Sequence, residues 1–111
     1  MKVKNLTFKG TLEENANGGR LVYVRDEDTL EEHELNPRYD LRNHSPDGFM
    51  WGYGGSGPSQ LALAILCEAI GDEHAKIHYQ DFKHCCIAKL PQDQPFRLDI
   101  MQVLQYIPMQ A

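Results

Sequence analysis

The sequence predicts an α+β domain: a small antiparallel sheet from the N-terminal half, packed on a buried central helix, with two further helices. Three observations carry this. Two runs of β-forming residues flank an Asn-Gly-Gly turn near the N-terminus. Residues 58–70 are apolar on nearly every side. Beyond them, apolar residues recur at three- and four-residue spacing, the period of a helix face. With 111 residues a single domain is expected, 1–55 mainly strand and loop and 56–111 mainly helical.

Val3 to Phe8 alternates well enough for a strand, and Leu21-Val22-Tyr23-Val24 is the strongest strand signal in the chain. The two are expected to pair antiparallel across a loop spanning 10–19, with Asn15 to Gly19 as its tip. Leu21 to Val24 also offers a strand edge through which a homodimer could form. The acidic run that follows, Asp26, Glu27, Asp28, Glu31, Glu32 and Glu34, is offset only by His33. It reads as a solvated loop or short surface helix, or else as an anionic patch that docks on a basic partner. Leu35 to Arg42 reads as extended, because Pro37 disfavours a helix just before it. Tyr39 and Leu41 are expected to face the core.

Asn43 to Gly48 is rich in turn formers, and Phe49, Trp51 and Tyr53 alternate behind it. Gly52, Gly54, Gly55 and Gly57 then lead into Pro58, which suits a first helical turn. Ser56 or Gly57 is the expected N-cap, and Gly71 the expected left-handed residue after the helix end. At about 13 residues this helix is too short for a bilayer, which needs roughly 20. Asp72 is expected to cap a second helix carrying Ala75, Tyr79, Phe82, Cys86 and Leu90 on one face and ending before Pro91. A short strand at Cys86 to Ala88 is the alternative. Pro91 to Pro95 is a connector, and Asp99 caps a last helix with Ile100, Met101, Val103, Leu104 and Ile107 as its apolar face, ended by Pro108.

The formal charge of −5 argues against direct nucleic-acid binding, which needs a basic face. Cys67, Cys85 and Cys86 are too few and too closely set for a disulfide framework or a zinc site, and reduced, buried thiols are expected. His74 and His78 lie one turn apart, with Asp81 and Cys85 continuing that face, and read as a solvated flank. No metal site or cofactor is expected. The N-terminal segment lacks a signal-peptide pattern and no span is long enough for a membrane, so a cytoplasmic location is expected.

From Leu41 the chain reads LRNHSPDGFMWGYGGSGPSQLALAIL, followed by YQDFK. This stretch resembles a family of small bacterial and phage proteins of unknown function, over roughly residues 38 to 107. Members share Asn-His-Ser-Pro, Gly-Phe, Trp-Gly-Tyr-Gly-Gly-Ser-Gly-Pro, Gln-Leu-Ala-Leu-Ala and Tyr-Gln-x-Phe-Lys. Here Met50 stands where the family pattern has an acidic residue, and Cys85-Cys86 replaces a polar–valine type of pair. The resemblance implies no activity, cofactor or catalytic residue. It implies a phage or mobile-element setting.

Three functions follow as expectations. The first is non-enzymatic binding of a protein partner, as a modulator or inhibitor of a host defence protein, through Asp26, Glu27, Asp28, Glu31, Glu32 and Glu34. The second is a small anionic-ligand or nucleotide site at the helix N-terminus. It would use the backbone of Gly54, Gly55, Ser56 and Gly57, with Trp51 or Tyr53 stacking and His44 nearby. Here the glycines also have a simpler role, permitting a sharp turn. The third is a small enzyme with His44 as base, Ser45 or Ser56 as nucleophile and Asp47 as orienter. His44, Ser45 and Asp47 also suit an ordinary turn, with His44 holding the loop to the sheet.

Overall fold

The computed structural model describes residues 3–108. Its strands are β1 (Leu6–Glu14), β2 (Arg20–Asp26), β3 (Glu32–Glu34) and β4 (Phe96–Asp99). Its helices are α1 (Ser56–Ile70), α2 (Asp72–Cys85) and α3 (Ile100–Leu104), with a 3₁₀ turn at Ile87–Lys89. The strands form one antiparallel sheet in the order β3-β2-β1-β4.

Strand alternation builds the two faces of the sheet. Phe8 pairs with Val24 on one side and Leu98 on the other, and Gly10 with Val22 and Phe96. These inward residues, with Leu6, belong to one apolar core that includes α1. The next register, Lys9 with Tyr23 and Arg97, faces out. In α1 only Ser56 and Glu68 escape burial, as expected of a helix apolar on all sides.

The first hairpin matches expectation in pairing, but β1 runs on to Glu14, so the connecting loop shrinks to Asn15–Gly19. The acidic run contains neither helix nor simple loop: its second half is β3, an edge strand paired with Tyr23 to Arg25. An edge strand tolerates this charge because its side chains reach water. Leu21 to Val24 is no dimer edge, because β2 is paired on both sides.

Leu35 to Arg42 is not extended. Arg38 has φ +61°, and the Leu41 and Arg42 amides both donate to its carbonyl. Asn36 Oδ1 accepts from the Arg38 amide at 2.9 Å and fixes this turn. Tyr39 is consequently exposed rather than core-facing. α1 begins at Ser56, with Gly55 as N-cap in place of Ser56 or Gly57. Pro58 therefore sits third in the helix, where its missing N–H is still one that has no intrahelical partner. Gly71 has positive φ (87°) but an extended ψ (161°), so it is not the left-handed cap expected. It is also the N-cap of α2, and Asp72 lies inside that helix.

α2 stops at Cys85 instead of continuing to Leu90. Cys86 leaves helical geometry (φ −123°, ψ −65°), and the 3₁₀ turn follows it. The Ile87 carbonyl accepts from the Gly52 amide at 3.1 Å and from the Leu90 amide at 3.4 Å. Residues 86–88 are likewise not a strand. β4 was not anticipated, although Phe96 and Leu98 alternate with Arg97 and Asp99. Asp99 caps α3 as expected, in a reciprocal capping box with Gln102.

Candidate functional site

The loop before α1 is held from below by one side chain. Gln60 is fully buried. Its Oε1 accepts from the amides of His44 (2.7 Å) and Ser45 (3.2 Å). Its Nε2 donates to the carbonyls of Pro37 (2.6 Å) and Arg42 (3.0 Å). Both lone pairs and both protons are thus used, so Gln60 is a tether with nothing left over for a ligand. A lone glutamine in an otherwise apolar helical run was the available sequence signal.

His44 Nε2 lies 2.8 Å from the Tyr79 hydroxyl, with ring centroids 5.6 Å apart. Burial, then the charges of Arg42 and Lys83, lower the His44 pKa below the usual imidazole value. The hydrogen bonds bring His44 to Tyr79 and not to Ser45 or Asp47. Ser45 instead accepts, through its carbonyl, from the Tyr39 hydroxyl at 2.9 Å. Asp47, through its carbonyl, accepts from Asn15 Nδ2 at 3.0 Å. Among the described residues no hydrogen bond joins the His44 ring to Ser45, Ser56 or Asp47. Lys83, one helical turn beyond Tyr79, is 8% exposed, and its ammonium has no ion pair among the described residues.

Trp51 is fully buried and unavailable for stacking on a ligand. Its ring meets Phe96 edge-on, centroids 4.7 Å apart, and its Nε1 donates to the Gln94 carbonyl at 3.0 Å. The Arg20 guanidinium lies 4.8 Å from the indole centroid. Gly10 faces this pair: a Cβ there would overlap Phe96 and come within 2.9 Å of Trp51. Gly52 combines φ +91° with backbone contact to Gln92, so it serves the turn. Gly57 is buried beside Met50, whereas Tyr53, Gly54 and Ser56 are exposed and Gly55 is half-buried.

Two adjoining hollows, about 210 and 230 Å³, flank the Asp47–Phe49 segment and share Asn17, Asp47, Gly48 and Phe49 as walls. The larger opens at the α1 N-terminus, against Tyr53, Ser56 and Gly57. Its one formal charge is the Asp47 carboxylate, and neither Lys nor Arg lines it. That carboxylate opposes an anion.

The six acidic candidates are not equivalent. Asp26 turns its carboxylate inward, accepting from the amides of Asp28 and Thr29 at 2.9 and 3.2 Å. Glu27 pairs with Arg25 (3.2 Å), Glu32 with Lys9 (3.3 Å), and Asp28 accepts from Asn5 (3.4 Å). Glu31 and Glu34 are exposed and unpaired among the described residues. Beside them Leu30 holds φ +66° and is 62% exposed, at the tip of the β2–β3 hairpin. Leu30 was not singled out in the sequence, because positive φ at leucine has no sequence signature.

Arg38 was missed too. Its guanidinium binds Asp72 through two nitrogens (2.7 and 2.8 Å) and also Asp40 (3.0 and 3.1 Å), which holds both carboxyls below the usual carboxylate range. Burial pushes Cys67 up to about 12 and Cys86 up to about 11, as for inert thiols, while Cys85 is exposed rather than buried. Among the described residues, no group of three or more His, Cys, Asp or Glu is placed to hold a metal, and no helix is long and apolar enough to cross a membrane.

No curated protein and no solved structure matches the sequence. One family model does, over residues 8–109, which takes in every element described above except the start of β1. The chain therefore belongs to the family of unknown function DUF6166.

Proposed function

We propose that the protein is a non-enzymatic binding module that docks on a larger, basic protein through the β2–β3 hairpin. The supporting observation is Leu30. A leucine in left-handed backbone costs on the order of 1–2 kcal/mol, and this one sends its side chain into water. The tip is nonetheless well held: Asp26 accepts two turn amides through its carboxylate, and its own amide and carbonyl bond Glu31 and Leu30. An apolar knob on a rigid turn, bordered by Asp28, Glu31 and Glu32, suits a partner with an apolar socket and a cationic rim. The knob would supply affinity on desolvation, and the acidic rim association rate and orientation. Such a partner is one this protein would modulate.

Catalysis draws less support, since the His44 ring nitrogen is engaged by Tyr79. An anion at the α1 N-terminus draws less as well, since Asp47 borders that hollow and Trp51 is sealed in the core. The test is capture of a partner from a lysate of the source organism by tagged protein. Leu30→Ser and the Glu31→Lys/Glu32→Lys pair should each lose the partner while melting as wild type does. A partner retained by both would contradict the reading.

A further inference from the structure

β3 is an outermost strand of the sheet, and β2 covers only one of its sides. The Asp26 amide donates to the Glu31 carbonyl at 2.9 Å, and the Leu35 amide to the Val22 carbonyl at 2.8 Å. Between them Arg25 lies opposite Glu32, Val24 opposite His33 and Tyr23 opposite Glu34. In an antiparallel ladder, bonded pairs alternate with unbonded ones. Val24 and His33 are therefore a bonded pair, and the N–H and C=O groups of Glu32 and Glu34 point away from β2. No other hydrogen bond takes up these four groups among the described residues. Both residues are exposed, so this edge opens to solvent. It presents two donors and two acceptors at strand spacing, a template for one more strand.

The side chains select the strand that fits. Glu32 and Glu34 are two residues apart and share one face of the sheet. Glu34 has no ion pair among the described residues, and Glu32 meets Lys9 through Oε1 at 3.3 Å. A second copy of the chain is a poor occupant. Antiparallel pairing about His33 would set Glu32 against Glu34 of the other copy, and like charges directly opposite are destabilising. Cations at alternate positions are the complement. We propose that β3 accepts an antiparallel strand of the basic partner, with a basic residue opposite each of Glu32 and Glu34 and an uncharged residue between them. This rests on the hairpin reading above and specifies the partner's chemistry. The main-chain bonds would hold the strand, and the two charge pairs would select it. The middle residue would turn to the opposite face, beside His33, whose Nε2 lies 3.6 Å from Glu68 Oε1. Leu30 stands past the end of β3, so the knob and the strand edge are separate contacts.

The probe is the terminally blocked peptide Thr-Arg-Val-Arg-Thr, titrated into the full chain and followed by NMR and amide exchange. Saturable binding is expected, with exchange slowed at the amides of Glu32 and Glu34 more than at His33, whose amide already bonds Val24. Methylating both arginine amides keeps the charges and removes two hydrogen bonds, so binding should weaken about tenfold or more. Methylating the valine amide, which points away from β3, should leave binding unchanged. The same peptide with glutamate for arginine should not bind. No slowing at Glu32 and Glu34, an arginine-methylated peptide that binds like its parent, or a glutamate peptide that binds would each overturn strand addition. Leu30→Ser should leave the peptide affinity unchanged, because the edge does not use the knob. A peptide that fails while Leu30→Ser still loses the captured partner therefore overturns strand addition alone, whereas a partner retained by both hairpin variants contradicts the reading beneath it.

Discussion

The amide of His44 donates to Oε1 of Gln60 at 2.7 Å, from a loop to the middle of the most buried helix in the protein. This bond and its three companions fix residues 37–45 over α1. Gln60→Ala leaves two amides and two carbonyls without that partner. At roughly 1 kcal/mol each, a loss of about 4 kcal/mol is expected in urea unfolding. A loss under about 0.5 kcal/mol, typical of a surface position, would show that water replaces the tether.

The Trp51–Phe96 contact rests on the bare face of Gly10. Gly10→Ala should overpack it and cost about 1–3 kcal/mol. Trp51→Ala, which empties a core site, should cost about 3–5 kcal/mol. Thermal melts near wild type for both would contradict a core role for Trp51.

Acid should destabilise the fold in two separate windows. The His44 pKa is lowered by burial and then by Arg42 and Lys83, so the unfolded chain takes up this proton first. Stability should fall as pH drops below the ordinary imidazole value of 6.5. Asp72 and Asp40 are held below 3.8 by Arg38, so their contribution is present above that value and lost as pH falls beneath it. In unfolding free energies across pH, His44→Gln should flatten the first window and leave the second. An unchanged slope between about pH 6.5 and 5 would exclude His44 as its origin.

Leu30→Gly removes the strain of φ +66°. The gain is partly offset by the extra freedom of an unfolded glycine, leaving up to about 1 kcal/mol of stabilisation. The same variant should bind the partner more weakly. A protein that becomes both more stable and a poorer binder would mark Leu30 as retained for contact. Stability lost on this substitution would show that the backbone there is unstrained.

The elements set by local chemistry were legible. The Val22 and Val24 alternation, the apolar run of α1 and the Asp99 cap each state their structure within a few residues. What escaped depends on partners distant in sequence. β3 exists because Glu32 to Glu34 find Tyr23 to Arg25, and the turn after α2 is tied to the central loop by the Gly52 amide on the Ile87 carbonyl. In the site, His44 was singled out but its partner Tyr79 was read only as core, because the bond spans 35 residues. Trp51 was left between a binding surface and the core, because the Gln94 carbonyl and Phe96 that enclose it lie in a connector and a strand the pattern did not reveal.

The docking claim is tested most directly by amide hydrogen exchange on the protein, free and bound to its captured partner. The account predicts new protection centred on Glu27 to Glu34, diminished in the Leu30→Ser complex. Protection confined to Ser45 to Ser56, with the hairpin exchanging as in the free protein, would contradict it and move the interface to the hollow at the start of α1.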